Sequence, residues 1–176
     1  HPLTLPWSRP APSDPEPRPT MLPLRALFIA LTLCTAAAAQ ATPLSGEEIT
    51  RLPVAEIVAR VPQSHPSTAY TLAARLWREG QRDEAVKWFY VGQLRLRFHI
   101  AANPGLPRDG DPALMASLNA TVGQTINEWA GGAPRQWAAS IDEALRWDAE
   151  HDNATTSKEQ HAAVWQGQRS GLQRGE

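Results

Sequence analysis

The chain has 176 residues, about one domain's worth, with 17 basic and 18 acidic side chains and a formal net charge of −1. Nothing in that near balance suggests nucleic acid or an anionic membrane surface as a partner. A single cysteine, Cys34, excludes an internal disulfide framework.

Residues 1–20 are proline-rich and aperiodic, a composition that buries too little apolar surface to offset the entropy of ordering. They read as a disordered leader or as sequence upstream of the true start, for which Met21 is the better candidate. From Met21 the pattern is that of a secretion signal. Arg25 gives a positive n-region, Ala26 to Leu33 an apolar h-region, and Ala39 and Ala41 the small residues that a signal peptidase reads. The apolar run is shorter than the roughly 20 residues of a membrane span. Cys34 follows Leu33, where lipid attachment would want a small residue, so the segment predicts cleavage near Ala41 rather than a lipoprotein. The mature domain, 42–176, is then expected to be periplasmic or secreted, free of cysteine and of membrane spans, and dependent on its apolar core.

Ser45-Gly46-Glu47-Glu48 has capping-box form and predicts a short helix. Pro53 marks a second helical start, followed by Val54, Ile57, Val58 and Val61 at helical spacing. Pro62 and Pro66 end it and leave a linker. Ser67 is the expected N-cap of the next helix, whose apolar stripe is Ala69, Leu72, Ala73, Leu76 and Trp77. Gly80 is placed as a C-terminal glycine, and Asp83 and Glu84 open the following helix with negative charge.

That helix, about 83–98, carries Trp88, Phe89, Tyr90 and Val91 in succession, so apolar side chains point around most of its circumference. Such a helix is central and buried. Gly92 in its interior sacrifices about 1 kcal/mol of propensity relative to alanine and predicts close approach by a neighbouring helix. After a polar loop at 103–110, Asp111 and Pro112 read as N-cap and first helical residue of a helix striped by Leu114, Leu118, Val122, Ile126 and Trp129. Gly131, Gly132 and Pro134 stop it. A helix over 135–150 should bury Trp137, Ile141, Ala144 and Leu145. Thr155 to Ser157 should cap a last helix carrying Ala162, Val164, Trp165 and Leu172, polar enough to fray. No strand alternation occurs, and the expected fold is all-α, a compact bundle of five or six helices.

The stretch over about 69–92 resembles one unit of the Sel1-like branch of the tetratricopeptide-type repeats. Ala69, Leu72, Ala73, Leu76, Trp77 and Gly80 match the first helix of that unit, and Glu84, Ala85, Val86, Trp88, Phe89 and Gly92 the second. The resemblance implies an antiparallel hairpin in which small residues permit close approach and large ones fill the groove beside them. Asp83-Glu84-Ala85-Val86-Lys87-Trp88 is echoed by Asp142-Glu143-Ala144-Leu145-Arg146-Trp147, but the residues before the echo do not repeat the first helix. A bundle built on one hairpin is therefore expected rather than a solenoid.

No catalytic, cofactor or metal motif is present in the sequence, so no cofactor is expected. The histidines His65, His99, His151 and His161 form no close ligand pair, and Asp109 and Asp111 lack the remaining oxygens of a calcium loop. His151-Asp152-Asn153 reads as a solvated helix end. The residues best suited to a partner surface are Tyr90, Arg95, Arg97 and His99, on the far half of the aromatic helix. The two arginines could equally reach a carboxylate within the protein. The resemblance implies binding to another protein, as an envelope adaptor or a toxin-immunity factor. The alternative is a hydrolase or small-ligand binder using Glu79, Asp83 and Glu84 near the hairpin turn.

Overall fold

The computed structural model describes residues 41–175. The leader and signal assignments over residues 1–40 lie outside the described residues. Every regular element among the described residues is helical, as the periodicity predicted. In order these are α1 (Gly46–Arg51), α2 (Val54–Arg60), a 3-10 turn (Val61–Gln63), α3 (Ser67–Arg78), α4 (Arg82–Ala102), α5 (Asp111–Leu118), a π-helical segment (Asn119–Gly123), α6 (Gln124–Ala130), α7 (Pro134–Glu150) and α8 (Ala162–Arg174). Helix α5, the π segment and α6 run on as one helix.

The capping box forms at α1: Ser45 Oγ accepts from the Glu48 N–H, and the Glu48 carboxylate accepts from the Ser45 N–H. These bonds hold the Glu48 carboxyl below its ordinary value. Arg75 of α3 then donates to the Ile49 and Leu52 carbonyls at 2.8 and 2.6 Å, tying down the C-terminal end of α1.

Helices α3 and α4 form a hairpin across the turn at Gly80, whose φ of +81° is the left-handed conformation glycine adopts freely. The Gly80 N–H donates to the Trp77 carbonyl and the Gln81 N–H to the Leu76 carbonyl, the double closure of a Schellman motif. Helix α4 runs further than the sequence suggested, to Ala102, and is the hub of the bundle. Its three consecutive aromatics are buried toward different neighbours. Trp88 meets Trp147 of α7 edge-on at 4.9 Å between ring centres. Phe89 meets Tyr70 of α3 at 5.4 Å. Tyr90 takes an indole N–H from Trp137 of α7 at 3.0 Å and donates to Asn127 of α6 at 2.9 Å. Gly92 supplies the predicted close approach: a Cβ there would lie 2.7 Å from Tyr70 Cδ2 and 3.1 Å from the Tyr70 backbone nitrogen.

The internal echo has a spatial counterpart. Ala85 and Ala144 are both fully buried, and Trp88 and Trp147 face each other across α4 and α7.

Three sequence expectations are revised. The stripe from Leu114 to Trp129 is not buried throughout: Ile126 is in the core, but Leu114 and Trp129 are 37% and 40% exposed. No residue of α5 is buried, and the stripe is fully buried only where α6 meets the core at Ile126. The polar C-terminal helix is docked rather than frayed, with Gly171 and Leu172 buried. Ser67 and Asp111 are the first residues of their helices rather than N-caps; Pro66 and Gly110 hold the cap positions without a side-chain bond. The Ser67 and Asp111 side chains are engaged elsewhere.

Candidate functional site

Two polar clusters flank the far half of α4. The first surrounds Asp111, drawn from its expected capping role by two imidazoles. His65 Nε2, from the linker before α3, lies 3.2 Å from one carboxylate oxygen, and His99 Nε2, from α4, lies 3.1 Å from the other. The ring centres of His65 and His99 are 6.3 Å apart, edge to face. Each Nδ1 is also engaged. That of His65 lies 2.9 Å from Ser67 Oγ and accepts from the Ser67 backbone N–H at 3.2 Å. That of His99 lies 2.8 Å from the buried Thr156 Oγ1 and 3.3 Å from Asn103 Nδ2. The Ser67 backbone N–H needs an acceptor at His65 Nδ1, while the Thr156 hydroxyl can donate to His99 Nδ1 or accept from it. Burial holds the His99 pKa below its ordinary value; Asp111 opposes that pull and His65 reinforces it. Among the described residues no group of three or more histidine, cysteine, aspartate or glutamate side chains is placed to hold a metal ion.

The second cluster is built on Asp148, near the end of α7. Arg95 and Asp148 are both almost fully buried, and Arg95 Nε donates to Asp148 Oδ1 at 2.8 Å. Two carbonyls beyond α7 take the rest of the guanidinium: Asp152 O from Nη1 at 2.8 Å and His151 O from Nη2 at 3.0 Å. The same guanidinium stacks on Trp147 at 4.7 Å. The other carboxylate oxygen of Asp148 accepts from Trp165 Nε1 at 2.8 Å and from Arg169 at 3.4 Å, both on α8. Lys158 donates to the Asp148 and His151 carbonyls. Desolvation pulls the Arg95 and Lys158 pKa values down, and Asp148 counters it in both.

These clusters locate the residues the sequence singled out. Tyr90 is buried between Asn127 and Trp137, and burial raises its phenol pKa. Arg95 meets its carboxylate inside the protein rather than on a partner. Arg97 is half-buried, and its charge bears on the Tyr70 phenol, which burial pushes far up. His99 joins Asp111 and His65. His151 is not merely solvated: its ring stacks on Trp147 at 4.2 Å. At the hairpin turn, Glu79 is paired with Arg75 at 2.7 Å, while Asp83 and Glu84 stand exposed.

Sequence reasoning passed over Asp148, His65 as a partner of His99, and the tryptophan pair at the surface. Trp129 of α6 meets Trp77 of α3 edge-on at 6.0 Å, and the Arg82 guanidinium lies 3.7 Å over the Trp77 ring. Beside them runs a cleft of about 170 Å³ lined by Ala74, Trp77, Arg78, Thr121, Val122, Thr125 and Ile126. Its lining is apolar apart from two threonines and one charge, that of Arg78.

No family model and no solved structure matches the chain. An uncharacterized protein of Haemophilus influenzae is 33% identical to it over 88 residues, covering 49% of this chain and 33% of that protein. The chain thus spans about a third of that relative's length.

Proposed function

We propose that this chain acts by binding another protein, in the bacterial envelope after export, as an assembly adaptor or a toxin-immunity factor. The observation that carries this reading is Trp129. A large aromatic side chain left 40% exposed and packed on a second tryptophan, Trp77, that lines an apolar cleft, is the kind of anchor around which interface energy concentrates. The polar groups best suited to chemistry are by contrast held in internal bonds, at Asp111 and at Asp148. Arg78, which lines the cleft, and Arg82, over the Trp77 ring, favour a partner segment that brings an apolar side chain flanked by a carboxylate.

The test is affinity capture from envelope extract by the purified protein and by its Trp129→Ala and Arg78→Glu variants. The expected result is one stoichiometric partner retained by the native chain and released by both variants, with the circular dichroism of all three unchanged. Absence of such a partner, or retention by both variants, would overturn the reading.

A further inference from the structure

We propose that the cleft between α4, α6, α7 and the end of α8 is a binding site for a short, uncharged peptide segment. The backbone amide of that segment meets Gln93 and Asn127, and its apolar side chain lies against Trp137, Ile141 and Leu172. The site is separate from the cleft beside Trp129 and is tested without it.

The cleft has a volume of about 300 Å³, and its walls include Tyr90 and Gln93 of α4, Asn127 of α6, Trp137 and Ile141 of α7, and Leu172 of α8. It lies where several helices of the bundle meet, a usual place for a ligand pocket. None of its lining side chains carries a charge.

Internal hydrogen bonds decide what the walls can offer. Trp137 Nε1 donates to the Tyr90 hydroxyl, and that hydroxyl donates to Asn127 Oδ1. The indole N–H and the phenol O–H are thereby spent, and the Asn127 amide is held with its oxygen toward Tyr90. Its Nδ2 is left with no acceptor among the described residues. Gln93 makes no side-chain hydrogen bond among the described residues, although it stands half-buried on the innermost helix. A ligand that displaces solvent from the cleft has to supply an acceptor to Asn127 and a partner to Gln93.

That requirement selects the ligand. A hydrocarbon leaves both amides unpaired. A carboxylate meets no cation among the lining side chains. A sugar brings more hydroxyl groups than two amides can satisfy beside three apolar side chains. A peptide unit suits both halves of the cleft: its C=O accepts from Asn127 Nδ2, its N–H donates to Gln93 Oε1, and the adjoining side chain covers the apolar wall. A second cleft of about 410 Å³ between α7 and α8 adjoins the first and shares Ile141 and Leu172 with it. A linear ligand can run from one into the other.

The experiment is an NMR titration of the purified protein with N-acetyl-leucine methylamide. The expected result is saturable shifts of the Trp137 indole N–H and of the Asn127 and Gln93 side-chain amides, with a dissociation constant of about 1 mM for a ligand of this size. The diester analogue, of the same shape with both N–H groups replaced by oxygen, should bind about tenfold more weakly. N-acetylglucosamine and isovalerate should give no saturable shift at these residues. Gln93→Leu and Asn127→Asp should each weaken binding of the amide probe about fivefold; the second keeps the oxygen that Tyr90 bonds. Equal affinity for amide and diester, tighter binding of the sugar or the carboxylate, or no saturable shift at concentrations about tenfold above that constant each overturns the proposal. Should either variant not fold, the comparison of amide and diester on the native chain decides by itself.

Discussion

A guanidinium group on the innermost helix has to meet its charge inside the protein, and Arg95 does so on Asp148, 53 residues further along. Removing that carboxylate strands a desolvated cation. Asp148→Ala is accordingly expected to destabilise the fold by about 3–5 kcal/mol in urea unfolding; a loss under about 1 kcal/mol would show that the carbonyls of His151 and Asp152 suffice. Gly92 gives a second prediction at this scale. Alanine is the better helix former by about 1 kcal/mol, yet a Cβ at position 92 would overlap the fully buried Tyr70 ring and crowd its backbone. Gly92→Ala should therefore be destabilising by about 1–3 kcal/mol, read as a lower melting temperature. The close approach at Gly92 was legible in the sequence because a glycine inside a strongly apolar helix demands a reason. Asp148 was not. One acidic residue among Asp142, Glu143, Asp148 and Glu150 looks like the rest until the three-dimensional partner of Arg95 is known.

Helix α8 illustrates how elements can be read correctly and their attachment missed. Its weak apolar stripe suggested fraying, since only Leu172 and neighbouring Gly171 enter the core. What holds it is polar: Trp165 and Arg169 reach Asp148, and Arg169 also caps the Leu145 carbonyl at 2.7 Å. Such anchoring has no periodicity and leaves no trace in a hydrophobic pattern. Trp165→Phe keeps the ring and deletes the N–H. It should accelerate exchange of α8 amides by about tenfold or more while leaving α3 and α4 protected, since a hydrogen bond to a charged group contributes about 1.5–3 kcal/mol. Uniform acceleration throughout the chain would mean that α8 is not a separate unit. The hairpin of α3 and α4, by contrast, was legible in detail, because its signals are local: the stripe on α3, the glycine at the turn, the acidic start of α4. The π segment was not. Its irregularity is tied to tertiary contact: Asn119 accepts the Tyr70 hydroxyl at 3.0 Å, and a Cβ at Gly123 would fall 2.6 Å from Phe89.

At the scale of the molecule, helix content and single-bundle organisation follow from composition and periodicity, while the two polar clusters depend on closure between distant segments. Titration should expose this difference. Because His99 is held below its ordinary pKa, overall stability is expected to be flat above about pH 6.5 and to decline in mild acid, in addition to any effect of the carboxylates at lower pH. Thermal melts at pH 7.5 and pH 5 measure this, and the His99→Gln variant should lose that part of the difference.

The burial of Arg95 also bears on the order in which the chain can fold as it is made. Helices α3 and α4 hold most of the core and the strongest local signals, yet the face of α4 that carries Arg95 has no cover until residues 147–152 have arrived to meet it. A nascent chain ending near Ala133 therefore carries a hairpin obliged to keep one side open to water. Such a fragment should show helical circular dichroism without a cooperative thermal transition, whereas the chain through Arg174 melts in one step. The buried cation thus acts as a gate on timing: the face of α4 that carries it stays unfinished until the end of α7 has been made.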